Sequence, residues 1–357
     1  MFLSRLVVHD LRSLAAVDLE PVPGLNLLVG ANGAGKTSVL EAIHLLSRGR
    51  SFRAGGDDAL LRRGADGYSV YAETRDRQGR QHRLGLGHTA GRWETRVDGE
   101  PRPTLGELLA HCAVVCFEPG SHELLNGGAQ SRRRFLDWGV FHVEQSYLDL
   151  WRRYQRALKQ RNRLLRDGAS APELGAWEHE LSTTAQTIDR LREAYVQAFA
   201  GDLAAEVARL VPQLGGVSVQ YRRGWSDDVD LAEYLAVSRP RDLARGHTGA
   251  GPHRADWRLI FDAAPTHAHL SRGQEKLAAL ACMFAQAMRY VAEHGEWPVV
   301  CLDDLASELD ASHRVRVLAR LRETGAQTWI TGTAPPDAGT APDARVFHVE
   351  HGCIHAD

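Results

Sequence analysis

The sequence predicts an α/β fold interrupted by a mainly helical subdomain. Three observations carry that prediction. A strand, a glycine-rich loop and a helix follow one another across residues 25–47. A helix–strand–helix–strand run occupies residues 272–331. Between them, apolar residues at helical spacing mark two long amphipathic helices joined by a short link.

Bulk composition sets the limits. With 357 residues, 43% hydrophobic and 25% charged, the chain has ample material for a buried core. No run of eighteen apolar residues exists, and MFLSRLVVHDLRS lacks the pattern of a secretory signal. No membrane span is expected. Five cysteines (Cys112, Cys116, Cys282, Cys301 and Cys353) make no disulfide framework, so a reducing cytoplasmic location is expected. A net charge of −2 excludes a bulk polycation, so nucleic acid would have to be held by a local basic patch. Lys36, Lys159 and Lys276 are the only lysines against forty arginines, the bias of a GC-rich genome. Where lysine persists, its compact ammonium is not interchangeable with a broad guanidinium.

In chain order, "FLSRLVVHD", "LAAVDLE" and "GLNLLVG" read as strands, with turns at Arg12–Ser13 and Pro21–Gly24. A helix follows from Lys36 to about Ser47. Residues 68–98 read as antiparallel strands with a turn at Asp98–Gly99, and "CAVVCF" as a short buried strand. Leu148, Trp151, Tyr154, Leu158 and Leu165 then share one helical face. "DGASAPE" forms a link, and Leu181, Ile188, Leu191, Tyr195, Phe199, Leu203 and Val207 mark a second long helix. Two such helices pack as an antiparallel pair. Strands return near Val217–Tyr221 and Trp257–Phe261, ahead of the closing α/β run.

"GANGAGKTS" fits G-x-x-x-x-G-K-[ST] in full and stands between an apolar strand and a helix. In such a loop the backbone N–H groups of Gly30, Ala31, Asn32, Gly33, Ala34, Gly35, Lys36, Thr37 and Ser38 wrap phosphates at a helix N-terminus. Lys36 reaches the β- and γ-phosphates, and Thr37 ligates Mg²⁺. "WPVVCLDDLASELD" supplies the second half: a buried strand ending in Asp303, placed for the metal, and Asp304, placed to orient or deprotonate water. No N-K-x-D occurs, which favours ATP over GTP. The expected division is an ATP-binding lobe of residues 1–115 and 243–357 and a helical lobe of residues 116–242.

Ser271-Arg272-Gly273-Gln274 opens a further helix between these two elements, with Ser271 placed to cap it. Together with Ser307-Glu308-Leu309-Asp310, the set resembles the ABC-type ATPase head of transporter cassettes, SMC proteins and DNA-repair ATPases. The resemblance implies that Ser271, Arg272, Gly273 and Gln274 contact ATP held by a second copy of the chain. "LRSL", "LLNGGAQSRRRFLDWG", "LKQRNRLLR", "GAGPHRADW", "LSRGQEKL" and "DDLASELD" are similar, in order, to blocks of the RecF family of bacterial recombination-repair ATPases. That resemblance implies a cytoplasmic protein whose ATP-bound dimer binds DNA at gaps or single-strand/duplex junctions. It also implies that the dimer helps RecO and RecR load the recombinase.

A transporter-type module driving a membrane partner is the rival reading. It requires a glutamine between the lobes and a switch histidine, but the chain offers Glu118 at the first place and Thr331 and Thr333 at the second. Asp304 is also shorter than the usual glutamate, so slow hydrolysis with ATP as the switch is expected. For DNA, the basic candidates are Arg132, Arg133 and Arg134, and the helix face bearing Arg152, Arg153, Arg156, Lys159, Arg161 and Arg163. Sparse aromatic interleaving points to duplex backbone rather than stacked single strands. His253 in "GPHR" is a further candidate phosphate contact. "HELLN" lacks the second histidine of a zinc site, and Cys112 and Cys116 lack a partner pair.

Overall fold

The computed structural model describes residues 1–53, 55–264, 270–334 and 343–356. They form two compact units, 1–121 with 276–357, and 122–275. The first unit begins with strands β1 (Phe2–Leu11), β2 (Leu14–Leu19) and β3 (Leu25–Val29), then helix α1 (Lys36–Arg48). It continues through β4 (Gly67–Arg75), β5 (Gln81–Thr89), β6 (Arg92–Val97), β7 (Glu100–Pro101), α2 (Leu105–Leu109) and β8 (Val114–Phe117). The second unit holds α3 (Glu123–Asn126), α4 (Ala129–Val143), α5 (Tyr147–Arg166), α6 (Ala171–Leu210), β9 (Val217–Arg222), α7 (Leu231–Arg245) and β10 (Asp256–Phe261). Helix α8 (Arg272–His294) leads the chain back into the first unit. There it adds β11 (Val299–Leu302), α9 (Leu305–Glu308), α10 (Ala311–Thr324), β12 (Thr328–Gly332), β13 (Arg345–Glu350) and β14 (Cys353–Ala356).

Two sheets build the first unit. One is antiparallel, in the order β2-β1-β4-β5-β6-β7, and its β6–β7 turn has positive φ at Asp98 and Gly99, as a two-residue hairpin demands. The other runs β14-β13-β3-β12-β11-β8, parallel throughout except for β14 at its edge. Helix α1 packs against β1 of the first sheet and β8 and β12 of the second. Every residue from Ser38 to Ser47 is therefore buried, as expected for a helix covered on all sides. Leu40 and Ile43 join Leu3, Leu6, Val8, Val114, Val299, Trp329 and Phe347 in one core, each large apolar side chain contributing ~2 kcal/mol. Glu41, fully buried on the same helix, is neutralised by Arg12 at 2.8 Å and Arg53 at 3.5 Å. Among the described residues no helix is long and apolar enough to cross a membrane.

In the second unit α5 and α6 pair antiparallel: Tyr147 near the start of α5 meets Arg192, whereas Arg161 near its end meets Glu178, earlier in α6. Helix α6 begins inside the stretch read as a link, because Ser170 and Glu173 form a reciprocal capping box with Pro172 in the first turn. The lobe boundary expected from sequence needs correction. Residues 243–275 group with the helical unit, not with the ATP-binding lobe, and the unit starts at His122 rather than at residue 116. The cause is β10, which is laddered antiparallel to β9 from Asp256↔Arg222 to Phe261↔Val217. Its Trp257 also packs against Phe135 and Phe199.

Candidate nucleotide site

The phosphate loop leaves β3, flanked in the parallel sheet by β13 and β12. Gly30 donates its N–H to the Gly332 carbonyl at 3.2 Å, and a Cβ there would sit 2.2 Å from the Val349 carbonyl oxygen. Only glycine fits. Gly35 adopts φ 119°, which lets the chain turn directly into α1. The Gly352 N–H, at the β13–β14 turn, donates to the Ala34 carbonyl at 2.8 Å and holds the loop from outside. Ala31, Asn32 and Gly33 are exposed, whereas Ala34, Gly35, Lys36 and Ser38 are buried. The Lys36 ammonium donates to the Gly30 and Ala31 carbonyls at 2.7 and 2.9 Å, folded across the loop it serves. Burial pulls its pKa down, with Asp304 and Asp303 opposing.

Strand β11 delivers the carboxylates where sequence placed them. Asp303 Oδ1 accepts from the Thr37 hydroxyl at 2.9 Å and from the Thr331 hydroxyl at 2.8 Å. Burial raises the Asp303 pKa, and those two hydroxyl donors oppose the rise. A hydroxyl and a carboxylate brought this close are hard oxygen donors, the set Mg²⁺ prefers. Asp304 follows in the left-handed region, at φ 50° and ψ 41°, and its N–H donates to Thr331 Oγ1 at 2.7 Å. Thr331 thus ties the Asp303 carboxylate to the turn that carries Asp304. Sequence reading noted Thr331 only as a replacement for histidine; its role depends on β12 lying beside β11. Replacing Thr331 with valine is expected to raise the half-saturating Mg²⁺ concentration for ATP hydrolysis by ~10-fold or more. Thr331→Ser is expected to stay near wild type. Magnesium titrations of phosphate release check both.

At the mouth of α8, Ser271 donates its N–H to Gln274 Oε1 at 2.9 Å, and the Gln274 N–H donates to Ser271 Oγ at 3.3 Å. This is a capping box, so Ser271 and Gln274 have a local use. Ser271, Arg272 and Gly273 are nevertheless exposed, and a Cβ on Gly273 would meet nothing within 4 Å. Lys276 is bound to the Glu308 carboxylate at 2.8 Å. Asp310 caps α10 by accepting the His313 N–H at 3.0 Å.

The basic candidates separate. Arg132 is buried and clamped to Asp256 through two hydrogen bonds at 2.7 and 3.1 Å, so its charge is spent within the unit and it is withdrawn as a DNA contact. Arg133 is half-buried and donates to the Ala255 carbonyl at 2.8 Å; Arg134 is exposed. Arg161 is fully buried among Glu178, Asp242 and Thr248 and leaves the basic face. Arg153 is paired with Glu180 at 2.8 Å, Arg152 with Asp149 at 3.2 Å, and Lys159 is exposed. His253 serves packing: Nε2 faces the Thr248 carbonyl at 3.2 Å, which can only accept, so Nδ1 accepts from the Tyr154 hydroxyl. Burial accordingly holds its pKa down at about 4.

Comparison with known proteins places this geometry. An AAA-domain family model matches residues 5–93. The DNA replication and repair protein RecF of Stenotrophomonas maltophilia (strain R551-3) is 48% identical over 363 residues, covering 100% of both chains. The chain belongs to the RecF family. Its place is therefore in DNA replication and repair, and its fold is the ABC-type ATPase head. The solved structure of the recombination mediator protein RecF-ATP in the RecFOR pathway superposes with a TM-score of 0.90 at 26% identity, over 100% of this chain and 97% of that one. An Smc head bound to the C-winged helix domain of ScpA matches at TM-score 0.60 and 15% identity, a likeness of fold alone.

Proposed function

We propose that the chain is a Mg²⁺-dependent ATP switch that binds DNA as an ATP-bound homodimer and hydrolyses ATP slowly to reset. The observation that carries the reading is the meeting of Thr37 and Asp303 beside a glycine-walled phosphate loop. Lys36 stands ready to exchange two loop carbonyls for phosphate oxygens. The exposed helix mouth at Ser271–Gly273 fits the phosphates of a second copy, since a helix N-terminus with free N–H groups attracts anions. Slow turnover follows from Asp304, a short carboxylate held in a left-handed turn, next to a threonine in place of the switch histidine. By family, the DNA would be gaps or single-strand/duplex junctions. RecO- and RecR-type proteins would then be the partners that load recombinase from the marked site.

A labelled duplex followed by sedimentation velocity, with and without Mg²⁺–ATP, tests the reading. The label is expected to move with two protomers only when the nucleotide is present. Ser271→Arg is expected to keep ATP affinity within ~3-fold while removing the dimer, because a long side chain fills the helix mouth and displaces the phosphate. A Ser271→Arg protein that dimerises normally would refute the contact between copies.

A further inference from the structure

We infer that the exposed face of α5 is the track that holds the duplex backbone. The inference rests on the DNA-binding reading above and names its surface. Arg152, Arg156, Lys159, Arg163 and Arg166 stand at i, i+4, i+7, i+11 and i+14. At 100° per residue they fall within about 40° of one line, and at 1.5 Å per residue the line is about 21 Å long. The buried residues of α5, among them Tyr154, Leu158, Arg161 and Leu165, lie on the opposite face. Arg156, Lys159, Arg163 and Arg166 are exposed and Arg152 partly so.

What distinguishes it from an ordinary solvated helix is the handling of charge. Arginines off the line are neutralised: Arg153 by Glu180, and Arg161 by Glu178 and Asp242. On the line, Arg156, Lys159 and Arg166 carry no ion pair among the described residues. Arg152 and Arg163 have only exposed partners, Asp149 at 3.2 Å and Asp167 at 3.7 Å, and such pairs contribute little. The carboxylates beside the line, Asp149 and Asp167, stand only at its two ends, in a chain whose net charge is −2. Five cations at one-turn spacing match a rigid polyanion with regularly repeated single charges, which is a phosphodiester backbone. The aromatics of α5 are used elsewhere: Trp151 stacks on Tyr154 and lies under the Arg192 guanidinium. With no ring presented among the cations, the face suits duplex and not stacked single strand.

Salt dependence of duplex binding tests this directly. The triple variant Arg156→Gln/Lys159→Gln/Arg163→Gln is expected to bind duplex at least ~10-fold more weakly. Its slope of log affinity against log salt should be shallower by about 2.7, since each lost phosphate contact removes about 0.9. ATP affinity and ATP-driven dimerisation should be unchanged, which shows that the variant folds. Arg153→Gln, one residue off the line, should keep the wild-type slope. A triple variant with the wild-type slope overturns the track and leaves the DNA reading standing. So does an Arg153→Gln slope that falls as steeply as one stripe position. A wild-type protein that binds no duplex with Mg²⁺–ATP overturns both.

Discussion

Lys36→Arg is expected to lower ATP affinity by ~100-fold and to abolish ATP-dependent dimerisation and DNA binding, with the fold intact. The ammonium is buried, and its two hydrogen bonds reach carbonyls five and six residues back in the same loop. A guanidinium is planar and wider, and cannot point three donors into a cradle shaped for one nitrogen. Losing a charge-assisted contact to phosphate costs about 1.5–3 kcal/mol, and each 1.4 kcal/mol is tenfold in affinity. Equilibrium titration with a fluorescent ATP analogue, alongside thermal unfolding without nucleotide, gives the result. Unaltered nucleotide affinity would remove Gly30–Ser38 as the site.

The parts of this site that are legible in sequence are those made by consecutive residues. A phosphate is gripped by backbone N–H groups, so "GANGAGKTS" must keep its glycines and its lysine in fixed register. Asp303 and Asp304 are legible for a similar reason: an apolar strand that ends in two carboxylates delivers both at its C-terminal end. Thr331 is not legible, because its value comes from β12 standing beside β11, a pairing no local pattern records. Helices α4 and α7 escaped for different reasons. Helix α4 carries Arg132–Arg134 near its start, and α7 contains Pro240, which reads as a breaker. The Asp230 cap of α7 was nonetheless present in the sequence, as was the Ser170–Glu173 box that starts α6.

Charge shows the same division within one helix. The sequence of α5 offers alternating arginines, and only tertiary structure decides which are solvent-facing. Arg161 lies two residues from exposed Lys159, yet its partners Glu178 and Asp242 come from α6 and α7. A guanidinium and two carboxylates that all leave water together remain stable only as a closed set. The sequence has no means to announce that closure.

Arg161→Leu is therefore expected to destabilise the protein by about 3–5 kcal/mol, the cost of leaving a buried carboxylate without its counter-charge. The Arg161 side chain is fully buried and donates to Glu178 at 3.1 Å, Asp242 at 2.9 Å and the Thr248 hydroxyl at 2.8 Å. Its removal does not affect the two acids equally. Glu178 keeps Arg239, whose guanidinium donates to it at 2.5 Å from a partly exposed position. Among the described residues Asp242, fully buried, keeps only the Ser238 hydroxyl at 3.4 Å. The penalty should thus arise mainly at Asp242, and Arg161→Leu/Asp242→Leu should recover part of it, whereas Arg161→Leu/Glu178→Leu should not. Urea unfolding of the full chain measures the differences, with Lys159→Gln expected within ~0.5 kcal/mol of wild type as an exposed control. An Arg161→Leu protein within 1 kcal/mol of wild type would mean that water reaches the pair and that Arg161 faces solvent after all. Arg161 would then be a further solvent-facing cation on the side of α5 opposite the stripe, so this stability measurement also constrains which arginines remain for DNA.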